Sequence, residues 1–229
     1  MNEWPEILLI DKPLGLTSFD VIRRLRRKYS DSHEGEKAPK MGHAGTLDPL
    51  ASGLMIIGVG QGTKNLNDLI KLDKEYVAEV LIGKKTTTGD MEGEVVEEVI
   101  VKEDVEILQS KISTELTSMI GTITLPVSVY SAIKKAGIPM YKRAREAEKT
   151  GEVIKEIPVR DMKIYEAELL DVYSGDGFAI ATIRFSVASG TYIRSLGEEL
   201  GKRINYPATL QNLRRTKVGE FDIKDSEKL

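Results

Sequence analysis

GHAGTLDPLASG, running from Gly42 to Gly53, sets a carboxylate, Asp48, in a loop of small residues, with His43 upstream and Pro49 directly after it. An Asp-Pro dipeptide among glycines turns the chain at the surface, so this loop exposes its acid rather than burying it. Turn aspartates that only satisfy nearby backbone are common. What separates this one from them must come from the rest of the chain.

Outward from the loop, Leu54 to Val59 reads as a short strand and Thr63 to Lys71 as a short helix, while residues 30 to 40 (SDSHEGEKAPK) are a polar lead-in. Further upstream, EILLI (6 to 10) is a buried strand, DKPLG a turn, and Thr17 with Asp20 three residues later is a capping box. The helix it opens puts Val21, Ile22, Leu25 and Tyr29 on one side. Arg23, Arg24, Arg26, Arg27 and Lys28 ring the other.

Downstream, the alternation in EYVAEVLIG gathers Tyr76, Ala78, Val80 and Ile82 on one face of a half-buried strand. KKTTTGDMEG is a polar turn, with EVVEEVI as its hairpin return, and Val105 to Ile120 is a helix. LPVSVYSAIKKAGIPMYKRAREAEKTG combines a strand-like piece with a short basic helix starting near Pro139, an exposed element suited to gripping a substrate. Strands at Lys163 to Val172 and Phe178 to Val187 join through SGDG, and a shift of apolar phase between Ile180 and Ile183 predicts a bulge. SGTYIRSLGEELGKR enters an amphipathic helix whose start carries Tyr192 and Arg194. ATLQNLRRTKVGEF reads as a short basic helix followed by an edge strand. Hairpins mixed with isolated helices give the class α+β rather than a doubly wound sheet.

The 229 residues, 41% hydrophobic and 30% charged, suffice for one large domain or two lobes sharing a sheet. With no cysteine and two histidines, His33 and His43, the chain lacks the side chains for disulfides, thiolate zinc sites, cysteine nucleophiles and multi-histidine metal centres. No metal site is expected, although an all-carboxylate magnesium site stays open. Neither a P-loop nor GxGxxG occurs, so no nucleotide cofactor is expected. The apolar runs are too short to cross a bilayer and the N-terminus is acidic, which predicts a cytoplasmic protein without membrane contact. The net charge is −3, yet the positive charge is clumped in RRLRRK (23 to 28), KRAR (142 to 145) and LRRTK ending at Lys217. Local basic faces on an acidic protein can hold a phosphate backbone while the remainder repels it.

A loop aspartate, tyrosines at 76 and 192, an arginine and basic patches suit chemistry on a nucleic-acid base that needs no metal or redox agent, and isomerising uridine to pseudouridine is such a reaction. That reaction breaks a C–N glycosidic bond, turns the uracil and remakes a C–C bond to the same sugar. An ionised carboxylate can attack the sugar or stabilise its cationic character, an adjacent arginine keeps such a carboxylate charged, and a stacked ring holds the base. The base must first leave its stack.

MGHAGTLDPLASGLMIIGVGQGTK closely resembles the catalytic motif of the bacterial tRNA pseudouridine-55 synthases, the TruB family. DKPLGLTS, DKEYVAEVLIG with TTTGDMEG, PVSVYSAIK, GTYIRSLGEELG and LRRTKVGEF follow the family's order, so the resemblance runs from about residue 7 to about 222. It implies the pseudouridine synthase fold, a mixed, mainly antiparallel central sheet flanked by helices and loops. It implies Asp48 as nucleophile, Tyr76 stacking on the base and serving in proton abstraction, and Arg194 pairing with the catalytic carboxylate. His43 would contact the T-loop around the flipped uridine, Tyr192 line the pocket and Leu213 pack against the uracil. Asp90 and Lys64 match polar pocket and RNA-side positions, and Arg145 a basic residue of an RNA-gripping insertion spanning about 124 to 152.

Two positions depart from the family pattern. Ser189 stands where a lysine usually precedes GTYIR, and GIPMY replaces a lysine-rich turn; both remove positive charge near the RNA path. The sequence ends at Leu229, whereas typical bacterial members continue into a PUA-type RNA-binding domain. The resemblance therefore implies a single catalytic domain over 1–229, acting as a monomer on the T-arm of tRNA, without cofactor or obligate protein partner. Two alternatives stay open: a pseudouridine synthase for another RNA stem-loop, and a tRNA-folding chaperone whose main role is RNA binding.

Overall fold

Thr17 starts the first helix through the capping box its sequence predicts. Its side chain accepts from the Asp20 amide, and the Asp20 carboxylate accepts from the Thr17 amide. The computed structural model describes residues 4–128, 133–135, 137–150 and 157–229. In chain order the elements begin β1 (Ile7–Lys12), α1 (Ser18–Ser32), β2 (Met41–His43), β3 (Ala51–Val59), α2 (Leu66–Lys71), β4 (Lys74–Ile82), β5 (Lys84–Thr86), β6 (Val95–Glu98) and α3 (Val105–Met119). They continue β7 (Gly121–Pro126), β8 (Lys134–Lys135), β9 (Ile138–Pro139), α4 (Met140–Thr150), β10 (Val159–Ser174), β11 (Ala179–Val187), α5 (Ile193–Arg203), β12 (Ala208–Val218), β13 (Phe221–Asp222) and β14 (Glu227–Lys228). The sheet is mixed and the helices flank it, as α+β requires.

The chain divides into two compact units: residues 1–77, 185–189 and 212–229 form the first, and 78–184 and 190–211 the second. In the first unit the strand order is β14-β1-β3-β12-β4-β11. All nine residues of β3 are buried, matching a continuous apolar run. β3 pairs antiparallel with β1, Ile7 opposite Gly58 through Lys12 opposite Gly53, and parallel with β12, Leu213 beside Ala51. Ala44, Leu54, Ile56 and Val218 form a fully buried cluster to which Ile7, Leu9, Leu66 and Phe221 pack.

In the second unit the order is β12-β4-β11-β10-β7, and α3 packs on β10 through Leu108, Ile112, Leu116 and Met119. α5 buries Leu196 and Leu200. Among the described residues no helix is long and apolar enough to cross a membrane.

Three expectations are corrected. ATLQNLRRTKV is not a basic helix but the eleven-residue strand β12. Leu210 and Leu213 sit at a helical spacing, and Leu, Gln and Arg are good helix formers, but strand pairing with β3 and β4 overrides that local preference. The partner of EVVEEVI is Lys84–Thr86, inside the segment read as a turn, so the hairpin is a separate two-stranded sheet. Across β11 the buried face Ala179, Ala181, Ile183, Phe185 and Val187 alternates without interruption, with Ile180 on the other face. The apparent phase shift was an apolar residue on the less buried side. In the insertion spanning about 124 to 152, residues 129–132, 136 and 151–152 lie outside the described residues, and with them the whole VYSA segment.

Candidate active site

In the first unit the Asp48 loop joins β2 to β3, and its backbone is held on both flanks. Ser18, the first residue of α1, donates its hydroxyl to the Leu47 carbonyl at 3.0 Å and accepts from the Leu47 amide at 2.9 Å. Gly15 donates to the Pro49 carbonyl at 2.8 Å, and Ala51 to that of Asp48 at 3.0 Å. Arg215, 1% exposed on β12, donates from Nε to the Leu54 carbonyl at 2.8 Å and from Nη2 to that of Gly45 at 3.2 Å. Gly53 has φ +108°, and a β-carbon there would lie 2.3 Å from the Arg215 carbonyl oxygen, so glycine alone permits the close approach of β3 and β12. On this braced loop the Asp48 residue is exposed.

Two buried lysines lie near Arg215, and one of them interacts with Asp48. Lys12 is fully buried and donates to the Pro13 and Leu16 carbonyls. Its ammonium is pushed down to about 8, first by burial and further by Arg215, while the Asp48 carboxylate opposes the shift. Lys74 is also pushed down to about 8 by burial and then Arg215, against Asp73; it donates to the Ile70 and Leu72 carbonyls and to Ser189 Oγ. Ser189, the residue before Gly190, thus receives the buried ammonium of Lys74. Burial, then Arg215, hold His43 below the usual histidine value, against a backbone hydrogen bond with Gly45, so its imidazole is neutral at pH 7.

Leu213, half-buried, pairs in register with Ala51, three residues beyond Asp48. Tyr76, 9% exposed, lies on β4, the strand next to β12, to which Thr216 ties it by donating to Glu75 Oε1 at 2.7 Å. Lys64 is exposed at the end of a 3-10 turn. The first unit therefore gathers Asp48, His43, Leu213 and Tyr76 on adjoining strands and loops, while Lys64 is a surface cation.

The second unit holds a different arrangement. Asp90 is 1% exposed and Arg194 8%; Arg194 Nη1 donates to Asp90 Oδ2 at 2.9 Å. Asp90 Oδ1 accepts from Thr88 Oγ1 at 2.5 Å and the Glu92 amide at 3.1 Å. Thr86 Oγ1 donates to the Asp90 carbonyl and shares a hydrogen bond with Thr209 Oγ1 on β12. Glu198, one turn beyond Arg194 on α5, has its carboxyl pushed up by burial and by Asp90, with Lys85 and Arg194 opposing. Tyr192 is half-buried at the N-cap of α5. Arg145 falls in α4, and its side chain lies outside the described residues. Among the described residues no group of three or more carboxylates or histidines is placed to hold a metal ion.

Sequence reading did not single out Lys12, Ser18, Lys74 or Arg215. The lysine ending an apolar strand in ILLIDK was one available signal; Arg215 became legible only once its segment proved to be a strand.

The model of the TruB family pseudouridylate synthases, N-terminal domain, matches residues 33–193. The chain belongs to this family. A Corynebacterium efficiens protein named tRNA pseudouridine synthase B is 39% identical over 221 residues, covering 96% of this chain and 69% of its own. One of the same name from Burkholderia mallei is 36% identical over 218 residues, covering 95% and 66%. Among solved structures, a chain of a Cbf5-Nop10-Gar1 complex superposes with a TM-score of 0.67 at 24% identity, covering 97% of this TruB-family chain and 52% of that one. A chain in a structure of an H/ACA RNP bound to a substrate RNA gives 0.63, covering 97% and 50%. These two likenesses show the fold. The chain thus spans about two thirds of the length of its relatives and about half that of the solved chains.

Proposed function

We propose that this protein isomerises uridine to pseudouridine in tRNA, at position 55 of the T-loop, with Asp48 as nucleophile on a flipped-out nucleotide. One observation carries the reading: in a chain of the TruB family, the motif carboxylate is exposed on a loop whose backbone is fixed by Ser18, Gly15 and Arg215. A nucleophile must be open to substrate yet fixed in direction, and these contacts supply both.

In this reading the N1–C1′ bond of uridine breaks while Asp48 engages C1′, and the freed uracil turns. C5 then bonds to C1′, the C5 proton leaves and N1 gains a proton, so no atom is gained or lost overall. Tyr76 stacks on the uracil and serves in removing the C5 proton, and Leu213 packs against the ring. His43, neutral at pH 7, meets the RNA as a hydrogen-bonding group without charge. Arg194, oriented by Asp90, acts on the nucleophile, and Tyr192 lines the pocket. Lys64 and Arg145 contact the RNA. The protein acts as a monomer in the cytoplasm.

Tritium release from 5-tritiated uridine in T-arm RNA is the test, run beside RNA in which the position-55 uridine is replaced by cytidine. Release from the first RNA and none from the second is expected. Release from both points to another stem-loop uridine, and tight binding with no release leaves a folding chaperone. Tyr76→Leu should lower product formation far more than fold stability; equal loss of both contradicts its role on the base.

A further inference from the structure

α1 carries five cations against two carboxylates in a chain whose net charge is −3. Its buried face is Ser18, Val21, Ile22 and Leu25, which leaves the cations outward, with Arg23 65%, Arg27 86% and Lys28 64% exposed. Arg24, Arg27 and Lys28 line one shallow depression with Asp31 and Ser32. Their protein partners are weak: Arg27 meets Asp31 at 3.9 Å and Lys28 meets Glu227 at 4.0 Å. Arg24 has no ion pair among the described residues. Exposed pairs of this kind contribute about 0–1 kcal/mol and exchange readily for a phosphate.

The helix is also tied to the loop that presents Asp48. Ser18 makes two hydrogen bonds to Leu47, the residue before Asp48. At about 1.5 Å of rise per residue, Arg24 and Lys28 stand roughly 9 and 15 Å along the helix from that anchor. A nucleic-acid strand advances about 3.4 Å per nucleotide, so this distance corresponds to about three to four nucleotides.

We propose that the basic face of α1 grips the phosphate backbone of the substrate RNA about three to four nucleotides from the target uridine, and through Ser18 registers that strand against the Asp48 loop. The proposal rests on the reading of the protein as a tRNA pseudouridine synthase.

The probe is a T-arm stem-loop RNA, with affinity measured over a series of salt concentrations for the wild type, Arg24→Glu/Arg27→Glu, Arg24→Gln/Arg27→Gln, and Lys102→Glu as an exposed control in the second unit. The double glutamate variant should bind about tenfold more weakly at low salt, and its slope of log K against log salt should fall by about 1.4–1.8, the loss of two phosphate contacts. The glutamine pair should lie between it and the wild type, and Lys102→Glu should match the wild type in affinity and slope, with single-turnover tritium release at saturating RNA within about twofold of it. Wild-type affinity and slope in both double variants, or equal weakening in Lys102→Glu, would overturn the proposal. A wild type that binds in this pattern yet releases no tritium would instead defeat the catalytic reading and leave the phosphate grip standing.

Discussion

Asp48 and Asp90 are the same side chain in opposite circumstances. Asp90 is buried, with one oxygen taking Arg194 and the other taking Thr88 and the Glu92 amide. Asp48 is exposed, and the surrounding protein fixes its loop through backbone carbonyls and amides. Asp90 sits inside a buried hydrogen-bond network, whereas the exposed Asp48 rides on a loop whose direction Ser18, Gly15 and Arg215 fix. The same contrast separates two neighbours on β12. Arg215 is buried and donates to carbonyls flanking the Asp48 loop, whereas Arg214 is 43% exposed and pairs with Asp11.

The largest expected effect breaks the buried pair. Asp90→Ala leaves Arg194 as a buried cation without that carboxylate and should cost about 3–5 kcal/mol in a urea titration, whereas Asp68→Ala, which breaks an exposed pair with Lys71, should shift stability by less than about 1 kcal/mol. Equal costs would mean that the Asp90–Arg194 pair contributes no more than an exposed one. Next comes Arg215→Met, which strips donors from the Gly45 and Leu54 carbonyls and should cost about 2–4 kcal/mol, against less than about 1 kcal/mol for Arg214→Met. A similar cost at both positions would mean that Arg215 does not brace the loop.

The smallest effect sharpens the picture of buried cations. Lys74 titrates at about 8 in the folded protein and at its usual 10.5 when unfolded. Below pH 8 both states carry the proton, so the penalty for burying the charge is present in full. Between about pH 8 and 10.5 the folded state sheds the proton first, and stability rises. Relative to Lys74→Met, the wild type should therefore gain about 1–3 kcal/mol between pH 7.5 and 10. A difference independent of pH would place the ammonium in an ordinary solvated setting.

The sequence carried most local structure where one signal dominated. The Thr17–Asp20 capping box, the alternation Tyr76, Ala78, Val80, and the apolar run of β3 all depend on neighbours a few residues away. It failed at β12, whose conformation is decided by strands far off in the chain, and with β12 went the role of Arg215. For the site, the motif resemblance named Asp48 and Arg194. It could not tell that Arg194 pairs with Asp90, or that a hydroxyl at position 18 clasps the Asp48 loop, because both contacts join distant segments.

Single-turnover tritium release by Asp48→Asn, with its affinity for T-arm RNA measured in the same preparation, tests the account most directly. We expect the rate to fall by about three orders of magnitude or more while affinity stays within about twofold. Turnover at the wild-type rate would contradict it.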